Sequence, residues 1–538
     1  MIKILGTIAI GWLAFGLCFD FNLSLLKPQH YDWLLTGDWG FMFLGWRSFA
    51  QDPWTWPIGQ LQSYHFPVPL TMSMTDSIPL WSTLWKLLYS GSDEPLQFFG
   101  IWYLFCFTFQ AITAGLLGNK LFKNDSTQWA WIVFACFSPV LFSRTGHPAL
   151  CAQGFIFLAM YRCIGVQKLT ESRLSQTSGD ALLLAIASAF HPYYIPLVGS
   201  FLYGKIAFKA FYKVVPKAST LRDLIVLTTA LLMSLFAFGY LGQYRKVTYS
   251  LHTYVADLAT FVQPLGQSRI LGPNFPVFGH AEGFAYLGLG MIISAMACGI
   301  VLLRKRNDFR SLWQNNSSAK LLLCVCGIML LWSFGDRPRI FGFKLARLDL
   351  FYTPLYPFVA VFRSAGRFAW PALYLIFLSC LFLFDRSRLK GPMRIGLLLL
   401  WVSVQLFDLG PLLSSPKTHD YPHRVLDPQP WQTIANGKTQ MLLIPPNYPL
   451  DPCEGSRYAP DDYVPLGLLA SRLRLQFNSG LSANPPLGAT AKYCAEAMNK
   501  FKEGRFEGEG LYILSQEIVP PAGLECQTIT GYQACTRR

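Results

Sequence analysis

Apolar residues along this chain gather in long blocks and seldom alternate with polar ones. Blocks at roughly 4–19, 96–118, 128–143, 148–166, 181–190, 194–212, 224–241, 283–303, 321–335, 368–384 and 395–411 read as membrane-crossing helices. A hydrocarbon core takes about 20 helical residues to cross. The block at 181–190 is short and reads as half of a broken hairpin turning at "HPYY", His191 to Tyr194, because Pro192 cannot continue a helix. Ile78–Leu88 is also too short to cross and reads as a helix lying at the membrane surface. Beyond residue 411 the pattern changes: "MLLIP" and "LYILSQ" read as strands and "ATAKYCAEAMNKFKEG" as a helix. The pattern predicts a polytopic α-helical membrane protein of about 11 transmembrane helices over residues 1–411, with a large first loop at 20–95. A small mixed α/β domain follows over residues 412–538.

Composition agrees with that class. The chain is 52% hydrophobic and only 14% charged, with a mean hydropathy of +0.32, where soluble domains are near a quarter charged. The net charge of +15 would suit nucleic acid, but its distribution excludes that partner. Residues 412–538 carry 12 basic and 12 acidic side chains, so the whole excess lies in the apolar part. There it follows the positive-inside bias of membrane loops.

Charge also sets an orientation. With the N-terminus in the cytoplasm, the inside loops and Lys205 hold 18 Lys/Arg against 6 Asp/Glu, the expected cytoplasmic signature. An odd number of crossings then places the C-terminal domain outside, in the periplasm or its equivalent. Nine of the 13 cysteines fall in or near apolar blocks, whereas Cys453, Cys494, Cys526 and Cys535 lie in the tail. An even set in an extracytoplasmic domain predicts two disulfides, with three pairings open. The first apolar block lacks a small-x-small cleavage site and reads as a retained helix.

Under this topology all eight histidines lie outside, and the inner parts of the spans carry almost no ionisable residues. Coupled transporters usually need acids near mid-membrane, so chemistry is expected at the outer interface. Outer stretches there are basic: "FRSAGRF" with Arg363 and Arg367, and "QYRK" with Arg245 and Lys246. Guanidinium groups suit a lipid phosphate; headgroup snorkelling and ion pairs with Asp336 or Asp349 explain them equally well. The first outer loop, "TGDWGFMFLGWRSFAQDPWTWPIG" and "TMSMTDSIPLWSTLW", supplies Asp32, Asp38, Asp52 and Asp76. A carboxylate beside a phosphate site is what sugar transfer from a lipid carrier needs, since the attacking hydroxyl must lose a proton and the phosphate leaving group needs charge stabilisation. Helix capping accounts for Asp38 and Asp76 as well. An interfacial aromatic belt accounts for the tryptophans as well as sugar stacking does. His419 and His423 have helical metal-ligand spacing, but Pro422 lies between them and no third ligand is near, so neither metal nor cofactor is expected.

The stretches "GDWGFMFLGWRSFAQDPWTWPIG", "TDSIPLWSTLWKLL", "LQFFGIWYLFCFTFQ", "HPYY", "EGFAYLGLG" and "FRSAGRFAWP" resemble a family of bacterial multispanning proteins of unassigned function. That family is similar to the GT-C superfamily of polyprenyl-phosphate-sugar-dependent glycosyltransferases. The resemblance implies a catalytic Asp in the first outer loop, matched best by Asp38 and next by Asp76. It implies a donor-phosphate site at Arg363 and Arg367 with His191 nearby, and the basic stretch "QYRK" offers Arg245 and Lys246 as further phosphate-binding candidates. Trp39, Trp46, Tyr193 and Glu282 become the sugar- or acceptor-contact candidates. Asp38 stands alone where many superfamily members carry an acidic pair, which argues against a metal-dependent version. The function expected is therefore an inverting hexosyltransferase using a polyprenyl-phosphate-linked sugar and an envelope glycan acceptor. A lipid or glycan translocator and a non-catalytic scaffold are the rivals.

Overall fold

The computed structural model describes residues 2–89, 91, 94–166, 174–241, 253–271, 281–304, 316–355, 360–450, 452–483, 487–515 and 518–538. Numbering helices of ten residues or more, the apolar part contains α1 (Ile2–Cys18), α2 (Gly37–Gln51), α3 (Pro79–Leu88), α4 (Phe99–Leu121), α5 (Asp125–Cys136) and α6 (Gly154–Cys163). It continues with α7 (Leu174–Phe190), α8 (Tyr194–Phe211), α9 (Lys217–Ala237), α10 (Leu289–Arg304), α11 (Ser317–Ser333), α12 (Trp370–Asp385) and α13 (Gly391–Asp408). Each apolar block read from the sequence carries a helix. Three helical stretches among the described residues are long and apolar enough to cross a membrane by themselves: Phe99–Leu121, Lys217–Ala237 and Ala365–Asp385. Ile2–Cys18, Leu289–Arg304 and Ser317–Ser333 are apolar but shorter.

The core is built around α4, which packs on α1, α5 and α6. Small residues permit the close approach: a Cβ on Gly11 of α1 would stand 2.7 Å from the Phe107 carbonyl of α4. The periphery is apolar too. Only 17% of the apolar window of α9 is buried, and Leu87 and Leu88 of α3 are exposed. Large apolar faces left bare on helices mark a surface that meets something other than water.

The hairpin break expected at "HPYY" is present, since α7 ends at Phe190 and α8 begins at Tyr194. Between α1 and α4 the first loop folds back on itself. Asp52 fixes it by accepting the Gln62 N–H at 2.6 Å, the Ser63 N–H at 3.2 Å and the Ser48 hydroxyl at 3.1 Å. Asp52 is therefore a structural clamp.

After the two-residue pairs β1 (Gln60–Leu61) with β2 (Leu70–Thr71) and β3 (Arg339–Ile340) with β4 (Phe343–Lys344), the C-terminal region forms a five-stranded sheet of β5 (Gln440–Ile444), β6 (Gln476–Phe477), β7 (Gly510–Leu514), β8 (Leu524–Ile529) and β9 (Tyr532–Arg537). The order is β6-β5-β7-β9-β8, with β5 parallel to β6 and β7 and the β8–β9 hairpin antiparallel. Two helices, α14 (Tyr463–Arg472) and α15 (Leu487–Lys502), accompany it. The disulfides pair Cys453 with Cys494 and Cys526 with Cys535. This domain is seated on the first loop: the Phe477 N–H donates to the Ser63 carbonyl at 2.7 Å, and the Phe66 N–H donates to the Phe477 carbonyl at 2.9 Å. Arg47 of α2, fully buried, donates to the Ser471 hydroxyl at 2.9 Å.

Candidate active site

Asp38 lies in the first turn of α2, where Thr36 takes the capping position and makes no side-chain cap bond. Capping therefore does not occupy the Asp38 carboxylate. It points instead to the short stretch "SRTGHPAL", where Asp38 Oδ2 lies 3.3 Å from His147 Nδ1. The other ring nitrogen of His147, Nε2, lies 3.3 Å from Glu282 Oε1. One imidazole thus bridges two carboxylates. Its loop is pinned on both sides, by Trp39 Nε1 donating to the Thr145 carbonyl at 3.1 Å and Trp102 Nε1 donating to the Pro148 carbonyl at 2.7 Å.

Glu282 is in turn held from below. Arg367 donates from Nε and Nη2 to Oε2 at 2.7 Å each, and Arg144 Nη1 sits 3.2 Å from Oε1. The Arg367 guanidinium also lies over the Tyr193 ring, 4.4 Å from its centroid. These side chains are buried: Glu282 is 12% exposed, Arg367 8% and Arg144 4%, whereas Asp38 is 46% exposed. Burial would raise the Glu282 carboxyl, but Arg367, His147 and Arg144 outweigh it and hold it well below the usual carboxylate range. Asp38 behaves oppositely. Partial burial lifts its carboxyl above the usual range, and His147 offsets only part of that.

Asp76 adds a second pair. It is not a helix cap either, since α3 starts at Pro79 with Ile78 at the capping position. Its carboxylate faces His191, Oδ1 to Nε2 at 3.5 Å. The Tyr193 N–H donates to His191 Nδ1 at 3.2 Å, so in the neutral ring the hydrogen is on Nε2, facing Asp76. Burial pushes Asp76 up, yet His191 together with His147 and Arg367 leaves it below its usual value; burial pulls His191 down. The pair is a carboxylate beside a neutral imidazole near pH 7.

The backbone around Asp76 is unusual. Asp76 and Ile78 have φ of +50° and +55°, and a β-branched residue there is an outlier that its surroundings must hold. The Ser77 hydroxyl donates to the Met42 carbonyl at 2.7 Å and lies 2.7 Å from the Thr75 hydroxyl. Gly45 of α2 makes room for both: its Cβ would stand 2.2 Å from the Thr75 hydroxyl oxygen. Close packing of α2 on this segment brings Asp38 and Asp76 into one region.

Some expectations change. His191 serves Asp76 and is not free for a phosphate. Trp46 is 2% exposed, its Nε1 donates to the Leu96 carbonyl at 2.8 Å, and its ring packs on Phe98; it belongs to the core and offers no face to a sugar. Trp39 is partly exposed and Tyr193 is buried, its hydroxyl accepting the Ser364 N–H at 2.7 Å. Arg363 is partly exposed, its guanidinium 5.8 Å from the Tyr254 ring centroid. Arg245 and Lys246 lie outside the described residues. Among the described residues, no group of three or more His, Cys, Asp and Glu could hold a metal ion.

Arg144 and His147 are the site residues that sequence reasoning missed. One signal was available: "GHPAL" repeats the His-Pro break of "FHPYY" at the end of another apolar block. No curated protein matches the chain. The family model described as domain of unknown function (DUF6311) matches residues 8–410, and that of the DUF6311 C-terminal domain matches residues 430–537. Since the first alone spans well over half of the sequence, the chain belongs to the DUF6311 family.

Proposed function

We propose that this protein is an inverting glycosyltransferase of the inner membrane, taking a hexose from a polyprenyl-phosphate carrier to an envelope glycan at the periplasmic face. The reading includes the expected topology of about 11 crossings, an N-terminus in the cytoplasm and the disulfide-bonded domain in the periplasm.

The single observation that carries it is the arrangement of Asp38. This carboxylate is half-exposed and bound to His147, whereas the groups behind it are buried. A surface ion pair contributes about 0–1 kcal/mol, so stability is a poor reason for Asp38 to be there. In the proposed step the acceptor hydroxyl oxygen bonds to the anomeric carbon while the bond from that carbon to the phosphate oxygen breaks. The hydroxyl proton goes to Asp38, and the electron pair leaves with the phosphate. His147 orients Asp38 and is itself fixed by Glu282. Arg363, partly exposed near the same residues, and the deeper Arg367 stabilise charge on the departing phosphate. A single displacement inverts the anomeric centre.

The experiment is transfer by purified protein in detergent, from undecaprenyl-phosphate radiolabelled hexoses to delipidated envelope glycan. Wild type transfers label, and a folded Asp38→Asn variant does not. Equal transfer by both removes Asp38 from the reaction, and no transfer by wild type from any hexose donor counts against the reading as a whole.

A further inference from the structure

A second charged cluster lies far from Asp38, toward the other end of α8. That helix begins at Tyr194, beside His191, and Lys209 follows 15 residues later, about 22 Å along the axis at 1.5 Å per residue. Here α6, α7, α8 and α9 bring together four cations and two carboxylates. Asp180 is shared by Arg162, Nε to Oδ1 at 2.5 Å, and by Lys205. Asp223 is bound by Arg222 at 2.9 Å and accepts the Thr177 hydroxyl at 2.9 Å. Both carboxylates are therefore already paired.

Lys209 is left over. It is 4% exposed, and among the described residues its ammonium makes no hydrogen bond and no ion pair within 4.0 Å, while Asp223 and Asp180 act on it from farther away. It lines a cleft together with Gln176, Thr177, Asp180, Lys205 and Asp223. The ammonium is not fully enclosed and reaches the cleft, where four cations outnumber two carboxylates, so the cleft favours an anion. The cleft has a cavity of about 10 Å³, the space of a single oxygen. One oxygen of a phosphate fits, with the rest of the group outside. The surroundings say what carries it. The apolar window of α9 is mostly unburied, and Phe211, Leu221 and Ile225 nearby are exposed, so the cleft opens where acyl chains would lie. Basic pockets between membrane helices recognise anionic headgroups in this way.

We infer that this cleft is a binding site for the phosphate of an anionic lipid headgroup, with Lys209 as its charge partner. The site is separate from the one around Asp38 and does not depend on the transferase reading.

The test uses the full chain in nanodiscs of phosphatidylcholine, with and without phosphatidylglycerol, and in phosphatidylcholine nanodiscs with added inorganic phosphate. Wild type, Lys209→Met and Lys217→Met are compared by thermal unfolding. Lys217 is an exposed cation at the same end and controls for general surface charge. Phosphatidylglycerol raises the Tm of wild type and Lys217→Met by about 2 °C, the size expected for a ligand near tenfold saturation. Lys209→Met loses this increment, while its Tm in phosphatidylcholine is at least that of wild type because an unpaired charge is gone. An equal increment from inorganic phosphate, also lost in Lys209→Met, keeps the phosphate site and overturns the lipid source. An increment absent in wild type, or unchanged in Lys209→Met, overturns the site.

Discussion

Gly366 lies so close to Gly283 that a Cβ built on it would stand 2.5 Å from the Gly283 Cα. This backbone contact is what sets Arg367, the next residue, on Glu282, the preceding one. The Gly366 N–H donates to the Tyr254 carbonyl at 2.9 Å, and the Ala256 N–H donates to the Ser333 carbonyl at 2.8 Å, so the neighbouring segment cannot retreat freely. Gly366→Ala must move backbone and costs about 1–3 kcal/mol. The expected outcome is a lower Tm together with at least tenfold slower transfer, because Arg367 leaves Glu282. An unchanged Tm would show that the two segments separate easily.

Asp38 and Glu282 should separate function from stability. Asp38 is half-exposed and its pair with His147 contributes little to folding. Asp38→Asn is expected to keep its unfolding free energy within about 1 kcal/mol of wild type and to lose transfer by at least a hundredfold. Glu282→Gln leaves Arg367 and Arg144 buried without their counter-charge and is expected to cost about 3–5 kcal/mol. Denaturation of both variants in one detergent checks the contrast. Equal loss of stability would contradict the division drawn here.

His147 can be tested through Asp38. Burial lifts the Asp38 carboxyl, and His147 is the largest influence pulling it back. Removing that influence raises the Asp38 pKa further, and a base works only when ionised. His147→Ala is therefore expected to move the acid limb of the pH–rate profile toward higher pH, with residual activity above it. A limb that stays in place while the rate falls would give His147 a role independent of Asp38.

Much of this was legible in the sequence, for reasons specific to each part. Helices came through because apolar blocks of membrane length leave few other readings, and the break at His191 followed from Pro192. Asp38 stood out among the four acids of the first loop through the resemblance, since helix capping accounted for it equally well. His147 did not, since its link to Asp38 and Glu282 joins three segments distant in the chain, and no local pattern records such a contact. Trp46 misled for a related reason. Its neighbours look like an interfacial belt, and only the packing of its ring on Tyr89 and Phe98 decides that it is core. Capping at Asp38 and Asp76 is a local rule, and here the pairing with distant histidines overrode it.

Acid should destabilise the protein in two stages. Burial holds His191 below its ordinary value near 6.5 and pulls His65 down to about 4, so the folded state binds fewer protons than the unfolded state as pH falls from about 6.5. Stability is then lost progressively through that window. Asp76 and Glu282 are also depressed, so the stability they contribute above the ordinary carboxylate pKa of about 4 is lost as pH drops through their folded values. Asp38 has the opposite sign but is a single half-exposed group. His191→Gln should reduce the slope of the first stage of a Tm-against-pH curve, leaving the part due to His65, and leave the second. A slope unchanged between pH 6.5 and 5 would mean that another group governs it.

The two disulfides should contribute unequally. Cys453–Cys494 closes a separation of 41 residues and Cys526–Cys535 a separation of 9. Loop-closure entropy makes the longer bridge worth about 4 kcal/mol and the shorter about 2.6 kcal/mol. Structure widens the gap. Cys526 and Cys535 face each other across the antiparallel β8–β9 hairpin, whose ladder already holds them in register. Cys453 and Cys494 join a loop to α15, where no such ladder runs. The double variant Cys453→Ser with Cys494→Ser is therefore expected to lower the Tm more than Cys526→Ser with Cys535→Ser. It should also weaken the seating of the domain on the first loop, because Tyr448 packs in one cluster with Cys453 and Cys494 and against the His65 ring, 4.5 Å between centroids. Protease sensitivity of the first loop in each variant would follow that second effect. A loss confined to the C-terminal domain would show that the seating depends on the Phe477 and Ser471 contacts alone.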